Sequence, residues 1–173
     1  SQSRFVENIV GKNPTFIEYY YPKVLDIIPG FRKKAVSIEQ FVRAINFVRP
    51  SKIRIYADEV TYNLHIILRF EIERDLFAGK ISVDDLPQVW NEKMDKYLFL
   101  DIEEDRTGVL QDTHWYGGMF GYFPTYSLGN IYGGQMLHAM QSQIPNWNQL
   151  IARGDFQIIR NWLVENVHNK GSL

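Results

Sequence analysis

Apolar residues recur every three or four positions along most of the chain, which is the spacing that gives an α-helix one apolar face. Ser37, with Gln40 three residues later, is a typical helix start with a reciprocal side-chain cap. Pro145 and Gly154 separate the last helices from one another. The pattern predicts a mainly α chain, with helices over most of residues 1–31, 37–49, 61–77, 82–98, about 124–143, 147–152 and 156–168.

Residues 52–58 interrupt this helical spacing. Apolar and polar residues alternate there from Ile53 to Asp58, a period of two that is typical of a β-strand. We therefore expect a short strand or hairpin near 52–58. Because alternate side chains lie on one face of a strand, that face would carry Arg54, Tyr56 and Asp58.

The long helix predicted over residues 61–77 has an apolar face that runs from Leu64 to Leu76. On this assignment Arg69, Glu73 and Arg74 point outward into solvent. His65 lies on the same helix, and we interpret it as a core or surface histidine rather than a catalytic one.

Composition narrows the class of protein. The 173 residues are 45% hydrophobic and 23% charged, and the net charge is −1, so we expect a globular domain. Neither nucleic acid nor an anionic membrane is favoured as a partner by that charge. The chain contains no cysteine, which excludes disulfides and thiol chemistry and fits a cytoplasmic location.

The stretch from Gly108 to Gln135 combines many glycines with histidine and tyrosine side chains. Glycine allows sharp turns and close approach of the backbone to a ligand, while tyrosine and histidine provide hydrogen-bond donors. We predict a glycine-rich loop over residues 116–121 that leads into a helix from about Pro124, since proline is tolerated in a first helical turn.

Three motifs in this chain resemble those of the Taq-type thermostable zinc metallocarboxypeptidases. Gly108-x-x-Gln111-Asp112-x-His114-Trp115 resembles the family's G-x-x-Q-D-x-H-W signature. The run Ile53-Arg54-Ile55-Tyr56-Ala57-Asp58 resembles I-R-x-x-A-D, and the first residues, Ser-Gln-Ser-Arg, resemble the end of an H-E-S-Q-S-R run. Three motifs in the family's order form a much more specific signal than one.

The resemblance implies that residues 1–173 are a single helical, substrate-side, C-terminal portion of a zincin-like peptidase. The family's H-E-x-x-H helix is absent from the sequence, and its third zinc ligand, a glutamate, would precede the first residue. The intact enzyme would use zinc or another divalent metal to remove C-terminal amino acids from peptides. We expect this chain alone to bind no metal and to be inactive. Its implied partners are a peptide substrate and the missing N-terminal part, and a homodimer is left open.

The same resemblance implies catalytic roles for His114 and Tyr126, which are similar to the histidine and tyrosine that line the metal site in the wider superfamily. Tyr122 lies four residues before Tyr126 and would share its face in a helix. The loop between His114 and Tyr126 would let their side chains converge on one oxygen, as an oxyanion requires. The alternative for His114 is a structural histidine.

Arg54 and Gln111 are the candidate substrate-binding residues, with Arg54 expected to grip the terminal carboxylate of the peptide. Arg54 could equally form only a buried ion pair with Asp58. Asp58 and Asp112 are assigned supporting roles, and Asp112 is expected to orient the His114 imidazole.

A second function is compatible with the sequence. The chain could be a helical binding or interaction module that keeps the peptidase fold without catalysis, and the missing metal motif favours this for the chain in isolation. Metal content and hydrolysis of a short peptide distinguish the two.

Overall fold

Helices account for the fold in the computed structural model, which describes residues 2–171. The mainly α prediction is confirmed, and no described residue belongs to a β-strand. The α-helices are α1 (Gln2–Arg4), α2 (Pro14–Ile27), α3 (Pro29–Lys33), α4 (Ile38–Ile45), α5 (Tyr62–Phe77), α6 (Leu86–Leu98), α7 (Pro124–Gln143), α8 (Trp147–Ala152) and α9 (Phe156–Asn166). Phe5–Val10 is π-helical, and Arg54–Tyr56 and His168–Lys170 are 3₁₀-helical. Within the described residues, no helix is both long and apolar enough to span a bilayer.

The chain divides into two compact units, and the first comprises Ser1–Asn46 and Asn130–Leu173. Its core is built from large apolar side chains of the N-terminal segment, the second half of α7, α8 and α9, namely Phe5, Val10, Met140, Trp147, Ile151, Ile159, Trp162 and Leu163. The cap predicted for α4 is present: Gln40 N donates to Ser37 Oγ, and Ser37 N donates to Gln40 Oε1. Local sequence signals therefore describe this unit well.

The second unit, Phe47–Gly129, contains every candidate site residue. Helices α5 and α6 pack together through Leu68, Ile72, Trp90, Met94 and Leu98. A smaller cluster forms where Tyr62 and Ile66 of α5 contact Phe123, just before α7. These two clusters provide the rigid support for the polar side chains described below.

The strand or hairpin predicted near 52–58 is wrong. Tyr56 N donates to Ile53 O and Ala57 N donates to Arg54 O, so the backbone turns in a 3₁₀ helix. Arg54 is buried, whereas Tyr56, expected on the same face, is 76% exposed. A strand fails here because the backbone N–H of Arg54 donates to the side chain of Gln111 rather than to a neighbouring strand.

The outward face assigned to α5 is wrong for Arg69 and Glu73, although Arg74 is exposed as predicted. Arg69 is fully buried and Glu73 is 4% exposed, whereas Ile67 and Phe70 are partly exposed to solvent. Leu68 and Ile72 are buried as predicted, so the inward face of α5 is wider than predicted and includes polar residues that form buried ion pairs and hydrogen bonds. Three predicted boundaries also shift: α4 ends at Ile45, α6 begins at Leu86 and α9 ends at Asn166.

Candidate active site

A buried charge cluster lies at the centre of the second unit. Arg54 holds Asp112 in a forked arrangement, with Nη2 2.7 Å from Oδ1 and Nε 3.0 Å from Oδ2. Arg69 approaches the same carboxylate, with Nε 2.8 Å and Nη2 2.6 Å from Oδ2. Burial raises the pKa of Asp112, but the two guanidinium groups outweigh this effect and hold that pKa below its ordinary value. Asp112 is therefore an anion shared by two cations.

Arg69 is the inner cation of this cluster. It has no exposed surface, and its Nη1 donates to the backbone oxygen of His65 one helical turn earlier. The guanidinium carbon lies 4.5 Å from the ring centre of Trp90, a favourable cation–π position. Burial lowers the pKa of Arg69 to about 10, so the group remains charged at neutral pH.

Arg54 is the outer cation, and it contacts the candidate catalytic side chains. Its Nη1 donates to the Tyr62 hydroxyl at 2.9 Å, and its guanidinium carbon lies 4.9 Å from the ring centre of Tyr126. Burial lowers the pKa of Arg54, but Asp112 and Tyr62 raise it above its ordinary value overall. Three of its five guanidinium N–H groups are used in these bonds, which leaves two for a further acceptor.

Gln111 positions this arginine rather than facing a ligand. Its Oε1 accepts from the backbone N–H of Arg54 at 2.8 Å. Its Nε2 donates to the backbone oxygens of Lys52 and Thr107, each at 2.9 Å. Both amide hydrogens are therefore used to hold residue 54 against the loop before His114, and this arrangement does not favour the substrate-binding role predicted for Gln111.

The pairing of Arg54 with Asp58 is wrong, because Asp58 lies at the start of α5 and bonds to local groups. Its Oδ1 accepts from the backbone N–H groups of Val60 and Thr61, both at 2.9 Å. Its Oδ2 accepts from the Thr61 hydroxyl and from Arg49 N. Burial raises the pKa of Asp58, but these hydrogen bonds lower it below its ordinary value. Asp58 stabilises the turn into α5.

His114 and Tyr126 converge, with His114 Nε2 2.9 Å from the Tyr126 hydroxyl. Burial lowers the pKa of His114 and raises the pKa of Tyr126. Both side chains are therefore neutral at pH 7, and each can donate a hydrogen bond to a substrate oxygen. The Tyr122 ring lies beside both, 5.6 Å from His114 and 5.4 Å from Tyr126 between ring centres. The structure brings all three predicted catalytic residues together.

Asp112 does not orient the His114 imidazole by a direct hydrogen bond. Its Oδ1 is 4.0 Å from His114 Nδ1, which is too long for such a bond. Both carboxylate oxygens are instead bound by the arginines. The expected supporting role is corrected accordingly: Asp112 fixes Arg54 and Arg69, and acts on His114 only through its charge.

Glu73 connects α5 to both ends of the glycine-rich loop. Trp115 Nε1 donates to Glu73 Oε1 at 2.6 Å, and Gly121 N donates to Glu73 Oε2 at 2.9 Å. Between these points the chain turns back sharply, and Gly118 and Gly121 adopt φ values of 71° and 73°, where glycine is strongly favoured. The loop predicted at 116–121 is observed, and α7 begins at Pro124 as expected.

Sequence reasoning missed three residues of this site, Tyr62, Arg69 and Glu73, all on α5. They lie on one helical face because they are seven and four residues apart. That spacing of polar residues along α5 could have indicated a shared polar face, but an assignment based on apolar spacing places such a face toward solvent.

A complete set of metal ligands is not found in the part of the chain that the structure describes. Residues 2–171 contain no cluster of three or more His, Cys, Asp or Glu side chains able to hold a metal ion. The acidic groups nearest to His114 are already used, Asp112 by two arginines and Glu73 by two N–H donors.

Comparison with known proteins identifies relatives over the whole sequence. The family model described as carboxypeptidase Taq (M32) metallopeptidase matches residues 1–173. Carboxypeptidase 1 of Bacillus subtilis is 47% identical over 171 residues, covering 99% of this chain and 34% of the relative. Thermostable carboxypeptidase 1 of Thermus thermophilus is 44% identical over 172 residues, covering 99% of this chain and 33% of the relative. The chain thus spans about a third of the length of these curated relatives.

Solved structures agree with the sequence comparison. A carboxypeptidase structure from Pyrococcus furiosus matches with a TM-score of 0.92 and 39% identity, covering 96% of this chain and 33% of that one. The M32 carboxypeptidase from Deinococcus radiodurans matches with a TM-score of 0.90 and 41% identity, also covering 96% of this chain and 33% of that one.

Proposed function

Because this chain belongs to the carboxypeptidase Taq (M32) metallopeptidase family, we propose that it forms the substrate-side portion of a zinc metallocarboxypeptidase. In this proposal the enzyme removes C-terminal amino acids from peptides. The observation that carries the proposal is the 2.9 Å contact between His114 Nε2 and the Tyr126 hydroxyl, beside the Arg54 guanidinium. Metal ligands would come from outside the described residues, so no step below depends on a metal.

His114 and Tyr126 are proposed to stabilise the oxyanion that forms when the scissile carbonyl becomes tetrahedral. In the free site their polar atoms satisfy each other. A substrate oxygen would replace this mutual bond and accept a hydrogen bond from each group, as in other oxyanion sites. Neutral groups suit this role because both can donate at pH 7, and burial keeps them neutral.

Arg54 is proposed to bind the terminal carboxylate that distinguishes an exopeptidase substrate. A guanidinium fork matches a carboxylate in geometry and charge. Asp112 holds the group in place, and two N–H groups are left for the substrate. The same ion pair also reduces the net positive charge, so the affinity for a carboxylate depends on Arg69 supplying the second cation of the cluster.

Tyr126→Phe tests the proposal in a full-length carboxypeptidase whose C-terminal third is this sequence. Only the hydroxyl is removed, so ring contacts with Tyr62 and Phe123 remain. We expect kcat to fall by roughly 10²–10³ with little change in KM, because the lost bond belongs to the transition state. The matched control is Tyr116→Phe, on the same loop but 63% exposed. Unchanged kcat in Tyr126→Phe would contradict the oxyanion role.

A further inference from the structure

We propose that Glu73 is a positioning residue, which fixes the loop between His114 and Tyr126 and so sets the distance between those two side chains. This inference rests on the proposed function for its catalytic consequence. Its structural part, that one buried carboxylate fixes both ends of the loop, can be tested without any assay of activity.

The geometry places Glu73 where it can control the positions of both His114 and Tyr126. Trp115, which binds Oε1, follows His114 directly in the chain, and Gly121, which binds Oε2, precedes Tyr122 and the start of α7. Within the loop itself the bonds are local, with Gly117 N to Thr113 O and Met119 N to His114 O. These local bonds shape the turn but do not attach it to α5, whereas the two bonds to Glu73 do.

The residue type matters because two donors meet one side chain. An ionised carboxylate accepts at both oxygens, whereas a carboxamide has one acceptor and one donor. Trp115 Nε1 and Gly121 N are both N–H donors, so a glutamine at position 73 can satisfy only one of them. The other N–H would face an NH₂ group in a buried position, which costs more than the loss of the bond alone.

Glu73→Gln should therefore release one end of the loop while preserving the size of the side chain. In the full-length enzyme we expect kcat to fall at least tenfold, with KM changed less than twofold, because the oxyanion donors separate while Arg54 stays in place. Glu71→Gln is the matched control, two residues earlier on α5, where the carboxylate binds Lys93 and Tyr97 instead. It should leave kcat unchanged.

A second variant separates positioning from simple loss of stability. Trp115→Phe removes the indole N–H, so in the double variant Glu73→Gln/Trp115→Phe the glutamine oxygen can accept from Gly121 N without an opposing donor. We expect the double variant to recover at least threefold in kcat over Glu73→Gln. A double variant no better than Glu73→Gln would overturn the proposal, and if Glu73→Gln itself folds poorly, a double variant that folds but stays more than tenfold below the parent in kcat would overturn it as well.

Hydrogen exchange provides the readout that is independent of catalysis. In Glu73→Gln, peptides covering residues 115–121 should exchange at least tenfold faster than in the parent, and Glu71→Gln should not change them. Unchanged exchange would overturn the attachment of the loop by Glu73, and faster exchange with unchanged kcat would overturn its positioning role. If Tyr126→Phe is fully active while exchange still increases, the proposed function fails but the attachment of the loop stands.

Discussion

Replacing Asp112 by asparagine should destabilise the fold more than any surface change, because it removes the single anion between two buried cations. Arg69 is fully buried and the Arg54 side chain is 7% exposed. Removing one partner of a buried ion pair costs about 3–5 kcal/mol, and an asparagine oxygen can replace only part of the five contacts that the two arginines make to the carboxylate. Against a typical unfolding free energy of about 5–15 kcal/mol, Asp112→Asn would lose roughly a fifth or more of the stability.

Urea unfolding followed by circular dichroism measures this loss directly. Asp75→Asn is the control, since Asp75 forms its ion pairs with Arg74 and Lys80 at the surface, and it should change stability little. A loss below about 1 kcal/mol for Asp112→Asn would refute the reasoning, because it would mean that the two guanidinium groups do not depend on this carboxylate.

The pH dependence of the same variant has a definite sign. The folded-state pKa of Asp112 lies below its ordinary value of 3.8, so its contribution is fully present above pH 3.8 and is lost as the pH falls through the folded pKa. The difference between parent and Asp112→Asn should therefore be constant from pH 7 to about pH 5 and should shrink only in stronger acid.

Three further predictions follow from the same cluster and from the proposed function. Burial lowers the pKa of His65 from 6.5 to about 4, so the free energy of unfolding should fall by up to about 3 kcal/mol as the pH drops from 6.5 to 4. In His65→Leu the free energy of unfolding, measured by denaturation, should depend less steeply on pH over this range. An equally steep dependence would contradict the lowered pKa of His65. Arg54→Ala should cost about 2–4 kcal/mol in kcat/KM for free-acid peptides and less for amidated ones, and equal losses would indicate a purely structural arginine. The 173-residue chain alone should show neither stoichiometric zinc in metal analysis nor peptide hydrolysis, and turnover would contradict this.

The sequence predicted most helices because their spacing and caps are local properties. The capping box at Ser37 and the proline at the start of α7 each depend on residues within one helical turn, so no knowledge of distant contacts is needed. The same holds for α8, whose predicted bounds 147–152 are those observed. The glycine-rich loop could also be placed, since its φ values above zero at Gly118 and Gly121 require glycine or strain.

The site was only partly predictable because its partners are far apart in sequence. Arg54 is 58 residues from Asp112, and Glu73 is 42 residues from Trp115. The alternation of apolar and polar residues from Ile53 to Asp58 is typical of a strand. It cannot show that the backbone N–H of Arg54 donates a hydrogen bond to the side chain of Gln111, 57 residues later. The family motifs marked Arg54, Asp112 and His114 as important without specifying which side chains contact each other.

Helix α5 shows why hydrophobic spacing fails at such a site. A buried arginine or glutamate normally costs several kcal/mol, so a pattern search places it outside. Here Arg69 and Glu73 avoid most of that cost, because Asp112 pairs with the first and two N–H donors satisfy the second. The polar residues on this face of α5 therefore hold the charge cluster and the glycine-rich loop in place, and an apolar-spacing rule cannot recognise them because their partners, Asp112, Trp115 and Gly121, lie about 40 residues or more away in sequence.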